Sequence, residues 1–270
     1  MALWTTEAEG GVLVARYANP PMNYFTRHAV AELAALIPSW RDPSVRVVIL
    51  TGGVPDRFIT HYSCEELLKL VRRPDLIRSL GPALGQDYHD LLRDLGRLQK
   101  PIIAAMSGDT MGGGFELSLA CDIRIAATGD RRYGLPEATL GILPGGSGTQ
   151  RLSHLIGPGR AVEFMMRGRL VRPTQALELN LVHELATDPL DRARLLASEL
   201  ASLAPAALAG IKRASWDGVA PDMAHGLALE SQALAEAFLA PEAEAILAAY
   251  VAIPFEKRRD WLERHQALQS

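Results

Sequence analysis

The sequence predicts an α/β chain with a mainly parallel sheet, completed by a helical C-terminal region. Three observations carry this expectation. Two short runs, Arg46-Val47-Val48-Ile49-Leu50-Thr51 and Pro101 to Met106, have the largely apolar character of strands buried on both faces. Segments with helical spacing of apolar residues lie between such runs, as crossovers between parallel strands require. Beyond Asp188 alanine and leucine dominate, and prolines at 205, 221, 241 and 254 cut the remainder into short helices.

Taken in order, Leu3 to Ala8 and Gly11 to Tyr17 read as a strand hairpin turning at Gly10-Gly11. Thr26 then caps a helix whose Val30, Leu33, Ile37 and Trp40 share one face. The strand at 46–51 runs into Gly52-Gly53, and helices are expected over Cys64 to Arg72 and Tyr88 to Leu98, with breaks at Pro74 and Gly81-Pro82. The strand at 101–106 leads through three glycines directly into an apolar helix. The chain thus divides into a core domain over residues 1–200 and a helical region over 201–270.

Composition narrows the function. With 270 residues, 48% of them hydrophobic, the chain can bury one large core. Its 28 basic and 31 acidic residues leave a net charge of −3 without a basic block, which argues against nucleic acid as a partner. No apolar stretch approaches the roughly 20 residues of a membrane-spanning helix. The start, Met1 to Glu7, lacks the basic and apolar segments of a secretion signal, so a cytoplasmic location is expected. Cys64 and Cys121, distant in sequence and set in apolar surroundings, read as buried thiols.

Chemistry concentrates in SGDTMGGGFELSLACDI, residues 107–123. Gly112, Gly113 and Gly114 let a ligand approach the main chain, and the first helical turn adds unpaired N–H donors with a partial positive charge. Such a site suits an oxyanion. Glu116 follows Gly113 by three residues, about one turn, which brings a carboxylate beside those donors. Taken alone, Glu116 equally fits a residue that complements the helix dipole. A second carboxylate, Glu137, follows Pro136 at the start of a short helix, a common structural arrangement. Two such carboxylates fit the addition of water to a C=C bond, where one proton leaves water and one reaches carbon.

Other chemistries are disfavoured. Position 117 is leucine, not the glycine of a dinucleotide fingerprint, and no phosphate-binding Gly-Lys-Ser/Thr loop occurs. Gly145-Gly146-Ser147-Gly148-Thr149 ends in threonine where a serine-hydrolase elbow needs glycine. Histidines at 28, 61, 89, 154, 183, 225 and 265 show no zinc-site spacing, so no metal is expected.

Together PIIAAMSGDTMGGGFELSLACDI, YGLPEATLGILPGGSGTQRLSHLIG and GRAVEFMMRGRLVRPTQALELNLVHEL closely resemble the crotonase, or enoyl-CoA hydratase/isomerase, superfamily. The linked motifs span Pro101 to Leu185, and weaker similarity reaches from the N-terminal strands to Glu256-Lys257-Arg258. The resemblance implies a spiral of repeated ββα units, with the 201–270 helices completing a homotrimer or a homohexamer. It implies an acyl-CoA thioester substrate, with coenzyme A part of the substrate and no separate cofactor. Carried over by position, the backbone N–H groups of Gly113 and Tyr62 form an oxyanion hole, and Glu116 and Glu137 act on water and the α-proton. Pro21, Met22, Thr60 and His61 lie where the substrate is held, and Lys257 where a CoA phosphate is met. Hydration of a 2-enoyl-CoA is the leading expectation. Double-bond isomerisation, thioester or C–C hydrolysis, and non-catalytic acyl-CoA binding are the alternatives. One departure stands out: Thr60-His61-Tyr62-Ser63 replaces the family's small-residue run, and His61, where glycine is usual, is expected to shape the pocket, with an acid/base or a solvent-facing role as the alternatives. Ser147 replaces another common glycine.

Overall fold

The computed structural model describes residues 2–219 and 223–267. β1 (Trp4–Glu9) and β2 (Val12–Tyr17) pair antiparallel across Gly10 and Gly11, which both take positive φ. In α1 (Arg27–Leu36) the Thr26 hydroxyl accepts from the Ala29 amide, satisfying one of the orphan donors of the first turn. β3 (Val47–Gly52) then returns parallel to β2. α2 (Cys64–Val71), α3 (Pro74–Leu80) and α4 (Gln86–Arg97) precede β4 (Ile102–Met106).

From here the spiral repeats. β4 joins the first sheet, β5 (Thr110–Met111) a second sheet, and α5 (Gly112–Leu119) follows. β6 (Ile123–Ala127) rejoins the first sheet and β7 (Tyr133–Gly134) the second. After them come α6 (Gly148–Ile156), α7 (Pro158–Met166), β8 (Leu170–Val171), α8 (Pro173–Glu178), β9 (Glu184–Ala186) and α9 (Pro189–Ser202). The first sheet has the order β1-β2-β3-β4-β6-β9, parallel except for the opening hairpin, and the second has the order β5-β7-β8. The chain therefore has the expected α/β class and spiral.

Both faces of the large sheet are covered, which explains the unbroken apolar runs. In β3, Val48 and Leu50 join the core shared with α1 and α4, while Val47 and Ile49 pack toward Ala193 and Ala197 of α9. α10 (Pro205–Val219), α11 (Met223–Leu239), α12 (Pro241–Val251) and α13 (Arg258–Ala267) complete the chain. The break expected at Pro221 lies outside the described residues. α11, α12 and α13 build a separate apolar cluster with α2 and α3, which contains Leu68, Ile77, Leu234, Leu247 and Leu262. Among the described residues no single helix is long and apolar enough to cross a membrane.

A buried polar cluster fastens α10 to the core. Lys212 Nζ donates to Asp122 Oδ2 at 2.8 Å and to the Lys100 carbonyl at 3.1 Å, and Trp216 Nε1 donates to Asp122 Oδ1 at 3.1 Å. Lys212→Met leaves Asp122 without the cation it pairs with at 2.8 Å and is expected to cost about 3–5 kcal/mol. Urea unfolding checks this: the midpoint should fall at an unchanged m-value, and an unshifted midpoint contradicts it.

Candidate active site

The site begins with the way residues 57–63 are held. Phe25 and Tyr62 form a parallel bridge, in which the Phe25 amide donates to the His61 carbonyl at 2.8 Å and the Ser63 amide to the Phe25 carbonyl at 2.7 Å. In this pattern the N–H of the bridged residue itself points away from its partner, so the Tyr62 amide faces the opposite side. On that side stands α5, tied to the same segment because the Met111 amide donates to the Thr60 carbonyl at 2.7 Å. A Cβ added to Gly113 would sit 3.4 Å from the Tyr62 nitrogen and 2.9 Å from Tyr62 Cβ. The helix start and the Tyr62 amide therefore confront each other at a separation only glycine permits. Gly112 takes φ +49°, a left-handed conformation that favours glycine.

The two carboxylates flank this point. Glu116, 2% exposed, turns one oxygen to the amides of Gly146 and Gly148, at 2.8 and 2.7 Å. Those amides belong to the loop entering α6, so the carboxylate and the loop fix each other. Glu137 opens a 3-10 helix, Glu137–Leu140, with Pro136 as its cap rather than its first residue. Its Oε1 lies 3.0 Å from where a Cβ on Gly112 would be. Tyr62, Gly112, Gly113, Glu116 and Glu137 all line one cavity of about 570 Å³, whose remaining wall is largely apolar and includes Leu67, Leu70, Leu84, Leu140, Leu234 and Phe238. Apolar walls of this kind strengthen any charge–dipole interaction formed against them. Such an arrangement can receive a developing oxyanion between two N–H groups with acid–base groups within reach.

His61 also lines the cavity, 7% exposed and stacked on Tyr24 with ring centroids 4.1 Å apart. Burial pulls its pKa down to about 4, so the ring is neutral near pH 7. Burial also pushes the Cys64 thiol far up, which keeps it protonated. Thr60 lies beneath the 21–23 loop, its hydroxyl donating to the Met22 carbonyl at 2.5 Å. Met22 is half-buried and Pro21 exposed, and neither lines the cavity. Lys257 is exposed in the 3-10 helix Phe255–Lys257 and is likewise absent from the cavity wall. The buried cation of that segment is Arg258, which pairs with Glu65 at 2.8 Å and lies over the rings of Phe255, Tyr250 and Tyr24.

Three supports were missed by sequence reasoning. The Tyr88 hydroxyl donates to the Gly113 carbonyl, and His89 Nε2 donates to the Gly145 carbonyl at 2.8 Å. Asn23, fully buried, donates to the carbonyls of Tyr17 and Phe58 and so fixes the loop before the donor segment. Tyr88 and His89 share the buried face of α4 with Leu92 and Leu95, and in sequence that spacing is indistinguishable from core packing. Ser147 adopts φ +72° and its hydroxyl accepts from Arg151 Nε at 2.9 Å, so the serine keeps the left-handed turn of the glycine it replaces. Among the described residues no group of three or more His, Cys, Asp and Glu side chains converges as a metal site would.

A two-sheet strand–strand–helix spiral, with a glycine-initiated helix confronting a loop amide, is the architecture of the crotonase superfamily. The crystal structure of an enoyl-CoA hydratase from Bacillus halodurans shares this fold with a TM-score of 0.83, over 92% of this chain and 100% of that one, at 21% identity. The chain belongs to the enoyl-CoA hydratase/isomerase family, whose model matches residues 7–264. It is 33% identical over 257 residues to a short-chain-enoyl-CoA hydratase of Clostridium acetobutylicum, covering 94% of each protein. It is 34% identical to a probable enoyl-CoA hydratase of Bacillus subtilis, covering 92% of this chain and 93% of that protein.

Proposed function

We propose that the protein catalyses the reversible hydration of a 2-enoyl-CoA. The observation that carries this reading is the placement of two buried carboxylates, Glu116 and Glu137, around the facing Gly113 and Tyr62 backbone groups in one apolar cavity. The thioester oxygen sits between the N–H groups of Gly113 and Tyr62, which withdraw charge from the conjugated double bond and make C3 electrophilic. Glu116 and Glu137 orient water and take one of its protons as its oxygen bonds to C3. The electron pair of the C2–C3 π bond passes to the thioester oxygen as an enolate, and a proton delivered to C2 completes the addition. The names of two relatives, each at least 33% identical over more than nine-tenths of its length, favour hydration over the isomerase and hydrolase outcomes open to the same scaffold.

Loss of enoyl-thioester absorbance across a panel of 2-enoyl-CoAs tests the proposal. Saturable loss that approaches an equilibrium from both the enoyl and the 3-hydroxyacyl side is the expected result. Binding of every panel member without turnover would contradict it.

A further inference from the structure

We propose that His61 pins the peptide whose N–H is the Tyr62 oxyanion donor, and that Tyr250 of α12 selects the His61 tautomer able to do so. This rests on the reading of Tyr62 as an oxyanion donor given above.

The tautomer follows from geometry. His61 Nδ1 lies 2.6 Å from the Tyr62 carbonyl, and a carbonyl only accepts, so Nδ1 carries the hydrogen. In a neutral ring Nε2 is then an acceptor, and the Tyr250 hydroxyl, 3.2 Å away, donates to it. Burial keeps the imidazole uncharged and holds the Tyr250 hydroxyl protonated, so both roles persist across the neutral range.

The bond to the Tyr62 carbonyl closes a ring of atoms running through the His61 side chain, the His61–Tyr62 peptide and the Tyr62 Cα. The donor N–H belongs to that peptide. Rotating the peptide so that its N–H swings away from Gly113 opens the ring and breaks the bond. Phe25 already holds the peptide by its oxygen, through the 2.8 Å bond to the His61 carbonyl. His61 adds a second restraint from the far side of the Tyr62 Cα. A glycine at position 61 supplies no side chain for it.

Tyr250 brings the C-terminal helices into this arrangement. It is 1% exposed, packed edge-on against Trp261 at 5.2 Å and beneath the Arg258 guanidinium at 5.2 Å. Arg258 in turn binds the carbonyls of Val251 and Ile253 and the Glu65 carboxylate of α2. Docking of α12 and α13 is thereby linked to the donor loop, with the Tyr250 hydroxyl as the contact made to the His61 ring nitrogen. His61 and Tyr250 act as positioning residues, since the chemistry itself stays with the backbone donors and the carboxylates.

The test compares wild type, Tyr250→Phe, His61→Ala, the double variant and His61→Asn in full-length protein. Steady-state rates are measured with a 2-enoyl-CoA. The infrared carbonyl band is measured with a bound saturated acyl-CoA labelled with ¹³C at its carbonyl, which reports polarisation by the oxyanion hole without turnover. Tyr250→Phe changes no shape, so it reads the hydrogen bond rather than packing. Partial loss of a donor worth about 10²–10³ in rate makes a fall in kcat of about 10-fold the expected effect of each single variant. KM should change little, and the carbonyl band should move back toward its free position. The double variant should be no worse than His61→Ala, because both residues act through the same bond. His61→Asn, whose amide donates without a tautomer choice, should recover much of the rate. Unchanged kcat and carbonyl band in both single variants, or additive losses in the double variant, would overturn the proposal while leaving hydration intact. An unshifted carbonyl band in wild type would instead overturn the oxyanion reading beneath it.

Discussion

Glu116→Gln is expected to lower kcat by about 10²–10⁴-fold while KM changes little, because a positioned acid–base group contributes that much to the transition state alone. The substitution suits the site. A glutamine Oε1 can still accept from the Gly146 and Gly148 amides that hold Glu116 at 2.8 and 2.7 Å, so the loop into α6 keeps its partner. What disappears is the ability to take up a proton. Glu116→Ala removes the acceptor as well, leaves two buried amides unpaired, and is expected to lose stability in addition. Glu137→Gln should resemble Glu116→Gln. The double glutamine variant should fall well short of the product of the two losses, since groups acting on one water are strongly non-additive. Stopped-flow absorbance with one 2-enoyl-CoA measures all three variants, and a single glutamine variant of wild-type turnover would remove that residue from the chemistry.

Gly113→Ala is the second large effect. The added methyl would stand 2.9 Å from Tyr62 Cβ, closer than side-chain carbons tolerate, so the helix start and the donor segment must part. The donor segment cannot shift freely, because Phe25 holds it on one side and Met111 on the other. The two N–H groups thus lose their common focus, and kcat/KM is expected to fall by about 10²–10³-fold, the usual worth of one oxyanion donor. Stability should fall only modestly, because the overpacking cost of about 1–3 kcal/mol is partly offset by the ~1 kcal/mol by which alanine is favoured over glycine in a helix. A stable, folded Gly113→Ala protein with little activity would separate the oxyanion hole from the scaffold. Retained activity would place the oxyanion elsewhere.

How much of this was legible before the structure depends on how local each signal is. β3 and β4 were readable because their residues are buried on both faces, so Val47 to Leu50 and Ile102 to Met106 are apolar without a break. The second sheet was not, since β5, β7 and β8 are two residues each and two residues carry no period. Glycines feeding a helix suggested anion binding by Gly113, and the three-residue offset suggested Glu116. Tyr62 as a partner came from the resemblance, because nothing in Thr60-His61-Tyr62-Ser63 announces a backbone donor. Glu116's tie to the 146–148 loop and Tyr88's tie to Gly113 span 25 to 32 residues, beyond the reach of local pattern. His61 could be marked as a departure, but its link to Tyr250, 189 residues away, required the fold.

The most direct test of the central claim is mass spectrometry of the products formed from one 2-enoyl-CoA in D₂O and in H₂¹⁸O. Hydration predicts an intact thioester one water heavier, with one non-exchangeable deuterium at C2, one ¹⁸O at C3, and both labels incorporated about 10²–10⁴-fold more slowly by Glu116→Gln or Glu137→Gln. Free CoA with ¹⁸O in a released acid, or a rearranged enoyl-CoA that gains no oxygen, would contradict it and assign the scaffold to hydrolysis or isomerisation.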